Sequence, residues 1–315
     1  MTTEPERARR DLEAWRACLP PDPYAADGAL RSLNRLYLRG ERLAALERSA
    51  TEFGRRVIEV IGPAAARYEG RAHLPELSRY DGLGRRVERI RFDPAYHRAG
   101  AAVWGSGIVA HSGSPGRAFE QATLLYLLSL EGEAGHACPA VCSIGLARAL
   151  RRRASGDVRE RFLPALLRAD YERAERASQF LTEVQGGSDV GANACRAVPR
   201  EDGAYRLWGE KWFCSVADAG QFLVTARPEG APDGTRGLGC FVVPREIGGA
   251  PNGFSIRRLK DKLGTRGMAS GELDLEGALA WPIGPVEEGF KTAVGIVLNT
   301  SRWMTAIGST GMMRR

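Results

Sequence analysis

Phe180-Leu181-Thr182-Glu183-Val184-Gln185-Gly186-Gly187-Ser188-Asp189 is the stretch that decides how this chain folds and what it binds. A strand-like entry runs into two adjacent glycines, and a hydroxyl and a carboxylate follow. Glycines let main-chain N–H groups approach a ligand with no Cβ in the way, and Thr182 and Ser188 add hydroxyl donors. The same residues also describe an ordinary glycine loop ending in an Asp cap. Further along, Gly209-Glu210-Lys211-Trp212-Phe213-Cys214-Ser215 puts two large aromatics in a strand beside a small hydroxyl residue. A flat ring system with a polar edge could pack there. Strand alternation, however, sends Trp212 and Phe213 to opposite faces, so that at least one of them serves the core.

Outward from these two stretches the texture changes twice. Residues 1–178 are Ala/Leu/Arg/Glu-rich with apolar residues three and four apart, as in Leu30, Leu33, Leu36 and Tyr37, or Phe119, Thr123, Tyr126 and Leu127. This spacing predicts an N-terminal helical domain. Residues 179–283 carry short apolar runs broken by turn residues: Ala194–Val198, Ala204–Trp208, Phe222–Ala226, Gly239–Val243, Phe254–Arg258 and Glu272–Leu275. They predict a β-domain, with Asp202-Gly203 as a hairpin turn because that pair tolerates positive φ. From 284 to 315 the helical period returns through Phe290, Val294, Val297 and Leu298, the first helix of a further helical domain. The expected class is α+β, a middle β-barrel-like domain set between helical ones, and no fixed-period repeat is present.

Composition narrows the function classes. The six cysteines lack CxxC spacing and disulfide-scaffold density, and the four histidines form no cluster, so no metal centre is expected. Cys138 and Cys142 lie four apart and can share a helix face as small apolar residues. The N-terminus does not read as a signal peptide, and no apolar run is long enough for a membrane span, which places the protein in the cytoplasm. The net charge of +7 comes from 41 arginines against four lysines. Arg151, Arg152, Arg153, Arg159 and Arg161 form a basic cluster that reads as a solvated helix face or as a phosphate contact.

Taken together and in order, these segments resemble the acyl-CoA dehydrogenase family. Thr182 to Asp189 is similar to its Thr-Glu-x-x-x-Gly-Ser-Asp segment, and Gly209 to Ser215 to its Gly-x-Lys strand along the flavin. Lys262-Leu-Gly-Thr-Arg-Gly267 resembles its Lys-x-Gly-x-Arg turn, and Glu288-Gly289-Phe290 the opening of its C-terminal helical domain. Within the family the likeness is to the AidB branch, associated with the adaptive response to DNA alkylation. It is carried by Val184 to Gly187, Trp212 to Ser215, Tyr80 to Val87, Phe92 to His97 and Ala137-Cys-Pro139.

The resemblance implies FAD as cofactor, an acyl-CoA or similar thioester as substrate, and a homotetramer. It assigns flavin contacts to Gln179, Phe180, Leu181, Thr182, Glu183, Gln185, Gly186, Gly187 and Ser188, with Ser188 also reaching the substrate. Phe213, Cys214 and Ser215 form the second contact. It also implies α,β-dehydrogenation, in which a carboxylate takes the α-proton while hydride moves to flavin. The family's earlier base position matches Ser301, and serine is no base without an activating partner. Glu287 and Glu288 read as helix N-terminal caps. No catalytic base is identifiable, and this chain alone is expected not to turn over acyl-CoA. The alternative is a flavin-containing DNA-binding protein of the alkylation response, in which duplex DNA is bound through a C-terminal domain mostly absent here.

Overall fold

Among the described residues, nine helices precede the long β-region: α1 (Glu4–Ala17), α2 (Pro23–Ala26), α3 (Gly28–Tyr37), α4 (Gly40–Arg56), α5 (Gly62–Tyr68), α6 (Pro94–Gly105), α7 (Ala118–Leu128), α8 (Ala137–Arg153) and α9 (Gly156–Leu166). The computed structural model describes residues 3–18, 20–132 and 135–315. Asp22 and Asp27 cap α2 and α3 by accepting from Ala25 and Leu30 N–H, which satisfies orphan donors of the first turn. Between α4 and α5 the chain makes a π-turn over Val57–Ile61, with Gly62 N–H bonded to Val57 O. Pro63 follows, and its missing N–H and bulky ring disturb the regular ladder that the wider turn absorbs.

The helical core forms around Phe53, Val57, Tyr96, Trp104 and Leu124. Of the α3 stripe, half-buried Leu30 packs against it. Leu33, Leu36 and Tyr37 stay exposed. Leu33, Phe119, Trp303 and Ile307 instead border an apolar groove of about 630 Å³, which touches neither the glycine segment nor the aromatic strand.

Two strands interrupt the helices where a wholly helical region was expected: β1 (Glu76–Tyr80) and β2 (Arg86–Arg91), an antiparallel hairpin. Their charged residues hide the alternation. Of their apolar residues, Leu77 and Ile90 pack on the barrel. Fully buried Glu88 accepts from Ile256 N–H (2.8 Å) and so covers an edge of the sheet.

The remaining strands are β3 (Ala177–Phe180), β4 (Arg196–Pro199), β5 (Tyr205–Ser215), β6 (Gln221–Pro228), β7 (Gly239–Pro244), β8 (Glu246–Ile247), β9 (Ala250–Pro251), β10 (Phe254–Leu259) and β11 (Ser270–Pro282). Asp202-Gly203 does turn β4 into β5, with Gly203 at φ 77° and Pro199 opposite Tyr205. The 13-residue β11 pairs β10 and β5 over most of its length and β7 at its end, while β6 joins β4 to β7, so the sheet closes on itself. Closure needs a bend, and Gly277 supplies it. At φ 86° it is the extra residue of a bulge opposite Trp208 and Leu207, and a Cβ there would meet the Trp208 ring at 2.9 Å.

Strands β6 and β7 are buried on both faces. Phe222 and Val224 point into the barrel, whereas Leu223 and Val242 meet Leu146 and Leu150 of α8 and Phe162 of α9. Their continuous apolar sequence follows from this double burial. After the barrel come α10 (Gly289–Thr292), a second π-turn (Ala293–Leu298) and α11 (Asn299–Arg314), which run as one rod against α7 and α8.

One ion cluster ties α4 to α7. Glu120, buried, accepts from Arg42 (2.6 and 2.8 Å) and Arg117 (2.8 Å). Burial alone would raise its pKa, but the two guanidiniums outweigh that and bring it down to about 2. An unfolded glutamate titrates near ~4.3. Glu120 therefore contributes stability that is complete above about pH 4.3 and is lost as pH falls toward 2. Urea midpoints measured from pH 5 to pH 2 are expected to fall less steeply in Glu120→Gln than in the parent, and parallel curves would refute this assignment.

Candidate functional site

The site is assembled at the exit of β3. β3 lies parallel to β6, pairing Ala177 with Gln221 through Phe180 with Val224. The chain then leaves the sheet into a tight loop in which Glu183 and Gly186 exchange N–H···O bonds of 3.2 Å. Gly187 folds back on Thr182, where a Cβ would stand 3.2 Å from the threonine methyl. The two glycines thus serve the compactness of the loop itself.

The aromatic strand is joined directly to this loop. Trp212 N–H donates to Thr182 O at 3.0 Å. Lys211, only 1% exposed, reaches under the loop to Leu181 O (3.3 Å) and Glu183 Oε1 (2.6 Å). Glu183 also takes Ala194 N–H (2.6 Å), Cys195 N–H (3.3 Å) and Gln185 Nε2 (2.7 Å). Burial would raise the pKa of this carboxyl, but Lys211 and the N–H donors hold it below the usual carboxylate range. Glu183 and Gln185 therefore spend their side chains on the loop's own frame.

A bulge then decides what the strand presents. Cys214 pairs with Gly271 and Lys211 with Leu273, so two residues of β5, Trp212 and Phe213, oppose the single Glu272 of β11. The extra residue breaks the alternation, and the expected division of the two rings between opposite faces does not occur. Lys260 Nζ sits 3.6 Å from the Trp212 ring centroid and 4.4 Å from that of Phe213, and Glu272 holds it at 2.8 Å. An ammonium over two ring faces is a cation–π pair that fixes both. Nothing in the sequence near Lys260 signals this role, because it depends on the cross-strand register. Phe213 remains 52% exposed and Trp212 half-buried, an aromatic wall beside the partly exposed Thr182.

The other expected contacts fall into two groups. Phe180 and Cys214 lie inside the barrel and Leu181 packs against the helices, so their side chains face away from any ligand and only their main chain is available. Burial pushes the Cys214 thiol pKa far up. Ser188 is exposed, and half-buried Ser215 pairs across the sheet with Ser270. Lys262 anchors the next turn by donating to Ser270 Oγ (3.0 Å) and Met268 O (2.7 Å), while Glu69 accepts from Arg266 and Gly267 N–H (2.8 and 3.0 Å).

Above the loop stands the rod of α10 and α11. Ser301 Oγ donates to Val297 O (3.3 Å) and lies 3.4 Å from Gln179 Oε1. Gln179 Nε2 is buried with no partner among the described residues. An unsatisfied amide is costly unless something answers it. This orphan donor, the half-open aromatic wall, and the hydroxyls of Thr182, Ser188 and Ser215 are chemically what a flat, polar-edged cofactor needs, so the donor set fits a flavin. Glu288 does not cap its helix; its carboxylate pairs with Arg153 and Lys291.

Residues 178–278 match the family described as acyl-CoA dehydrogenase, middle domain, and residues 17–173 match the adaptive response protein AidB N-terminal domain. The chain belongs to the acyl-CoA dehydrogenase family, on its AidB-like branch. It is 35% identical to the AidB protein of Escherichia coli (strain K12), over 76% of this chain and 46% of that protein. It is 32% identical to acyl-CoA dehydrogenase family member 11 of Caenorhabditis elegans, over 93% of this chain and 49% of that one. The chain thus spans about half the length of these curated relatives. A solved structure described as Bd2924 in its apo form superposes with a TM-score of 0.85 at 34% identity, over 93% of this chain and 60% of that one. Caenorhabditis elegans ACDH-11 in complex with C11-CoA gives 0.85 at 28% identity, over 93% of this chain and 51% of that one. The barrel and its flanking helices therefore have the fold of the acyl-CoA dehydrogenase family. Among the described residues, no helix is long and apolar enough to cross a membrane.

Proposed function

We propose that this chain carries the flavin-holding part of an FAD-dependent acyl-CoA dehydrogenase of the AidB-like kind. The observation that carries the reading is the junction of the two segments: Trp212 N–H bonded to Thr182 O, with the bulge turning both aromatics to one side. Trp212 and Phe213 would form the wall for the ring, and Thr182, Ser215 and Ser188 would offer hydroxyls to its edge. Main-chain groups from Gln179 to Gly187 and at Cys214 complete the contact. When bound, the flavin supplies the hydride acceptor for α,β-dehydrogenation of an acyl-CoA thioester.

The chain's own residues hold and orient. Ser301, set against Gln179, has no activating His or carboxylate among its hydrogen-bond partners and cannot take an α-proton. We place the base outside these 315 residues, and with it the remaining flavin contacts, the subunit contacts of a homotetramer and any surface for duplex DNA. A cytoplasmic location accords with the AidB-like branch.

The test uses the protein extended to the length of its relatives. It is expected to purify yellow, to bleach with an acyl-CoA under anaerobic conditions, and to hold FAD roughly tenfold more weakly after Phe213→Ala, about 1.4 kcal/mol. The 315-residue chain is expected to show no steady reduction of an electron acceptor. A colourless protein that takes up no added FAD would refute the assignment.

A further inference from the structure

Five arginines crowd the C-terminal half of α8 and the region after it, and the structure sorts them. Arg153 is tied to Glu288, and Arg161 lies 4.0 Å from the centroid of the Trp281 ring. Arg151 and Arg152 turn the other way. With Arg148, one turn earlier on α8, they line a cleft of about 270 Å³ closed by the start of α7 and by Trp303 of α11.

The charges in this cleft are not balanced. Arg148 donates to Gln121 Oε1 (2.8 Å) and Thr300 Oγ1 (3.3 Å), and Arg151 to Ser112 O (2.6 Å); all three acceptors are neutral. Among the described residues, no carboxylate lies within ion-pair distance of Arg148, Arg151 or Arg152. Arg117, also on the cleft wall, shares the single carboxylate of Glu120 with Arg42. Burial, and then the neighbouring guanidiniums, lower the pKa of both Arg148 and Arg151. Desolvated cations without a counter-charge are held at a cost unless an anion answers them. The walls also carry groups that anions use: Ser114, His111, the main chain at Gly116, and the N-terminal end of α7.

We infer that this cleft is a binding site for a small oxyanion of the phosphate class, held between Arg148, Arg151 and Arg152 of α8 and the start of α7. Its volume suits phosphate or pyrophosphate. Planar guanidiniums arrayed along one wall match tetrahedral oxyanions through paired N–H···O bonds. The Arg148 guanidinium lies 5.2 Å from the Trp303 ring centroid. That ring keeps the cation in place and makes the indole a reporter of occupancy. The site is separate from the glycine loop and the aromatic strand, so it stands or falls independently of flavin binding.

The experiment titrates pyrophosphate, inorganic phosphate and acetate into the 315-residue protein at constant ionic strength, with chloride as the reference. Binding is read by calorimetry and by Trp303 emission. Pyrophosphate is expected to bind most tightly and phosphate next, with acetate at least tenfold weaker. Arg148→Gln with Arg151→Gln should weaken pyrophosphate at least tenfold, and Trp303→Phe should remove the fluorescence change while calorimetric binding persists. Exposed Arg159→Gln serves as the control and should change nothing. If the double variant fails to fold, Arg152→Gln alone, on the cleft rim, is expected to weaken binding about threefold. Absence of pyrophosphate binding, equal binding of acetate, or undiminished binding in the folded arginine variants would each overturn the site.

Discussion

Glu183→Gln is expected to destabilise the protein by about 3–5 kcal/mol, because it leaves a buried ammonium without its counter-charge. Lys211 has a fully buried side chain 2.6 Å from Glu183, and its other partners, Leu181 O and Asn193 Oδ1, are neutral. Glutamine would also turn an N–H₂ toward donors that now point at a carboxylate, namely Ala194 N–H and Gln185 Nε2. Lys211→Met should cost a similar amount by stranding the acid. The double variant should cost less than the sum of the two, since both charges are gone. Urea unfolding of the four proteins at pH 7 measures this. A loss below about 1 kcal/mol in Glu183→Gln would show that water reaches the pair and that the loop is not framed as described.

Gly289→Ala is expected to cost about 3 kcal/mol or more and to loosen the C-terminal rod from the barrel. A Cβ at Gly289 would stand 2.3 Å from Cys240 N and from the Gly239 carbonyl carbon, so the obstacle is backbone, which cannot rotate aside. The next residue is anchored there too, with Phe290 N–H donating to Leu238 O at 3.1 Å. Gly295→Ala is the control on the same rod. No atom beyond its own helical turn lies within 4 Å of its added methyl, and an alanine in a helix interior is worth up to about 1 kcal/mol over glycine. Thermal unfolding of the pair should therefore move in opposite directions. Equal melting temperatures would mean that the rod is not seated on the β6–β7 side of the barrel.

The legible part of the site was its material. The glycine segment, the aromatic strand, the lysine turn and the Glu-Gly-Phe opening were each visible in order, because each needs particular residue types at short range. Their use was less legible. Glu183 and Gln185 read as ligand contacts, and in the structure their side chains bond within the loop; the sequence does not show that Lys211 passes beneath them from another strand. Phe180 and Cys214 likewise turned inward once the barrel closed.

By itself, the chain's sequence determined the order of helices, strands and helices apart from the β1–β2 hairpin, the Asp202-Gly203 turn, and the family. All of these follow from local periodicity, glycine placement and short motifs, which are properties of neighbouring residues. Tertiary structure decided which side of the sheet Trp212 and Phe213 occupy, that Lys260 lies against both, that the α3 stripe borders an open groove, and that Arg148 and Arg151 face a cleft without a counter-charge. The reason is register: a single extra residue in β5 moves a side chain across the sheet, and that residue is defined only against a partner strand far away in the chain.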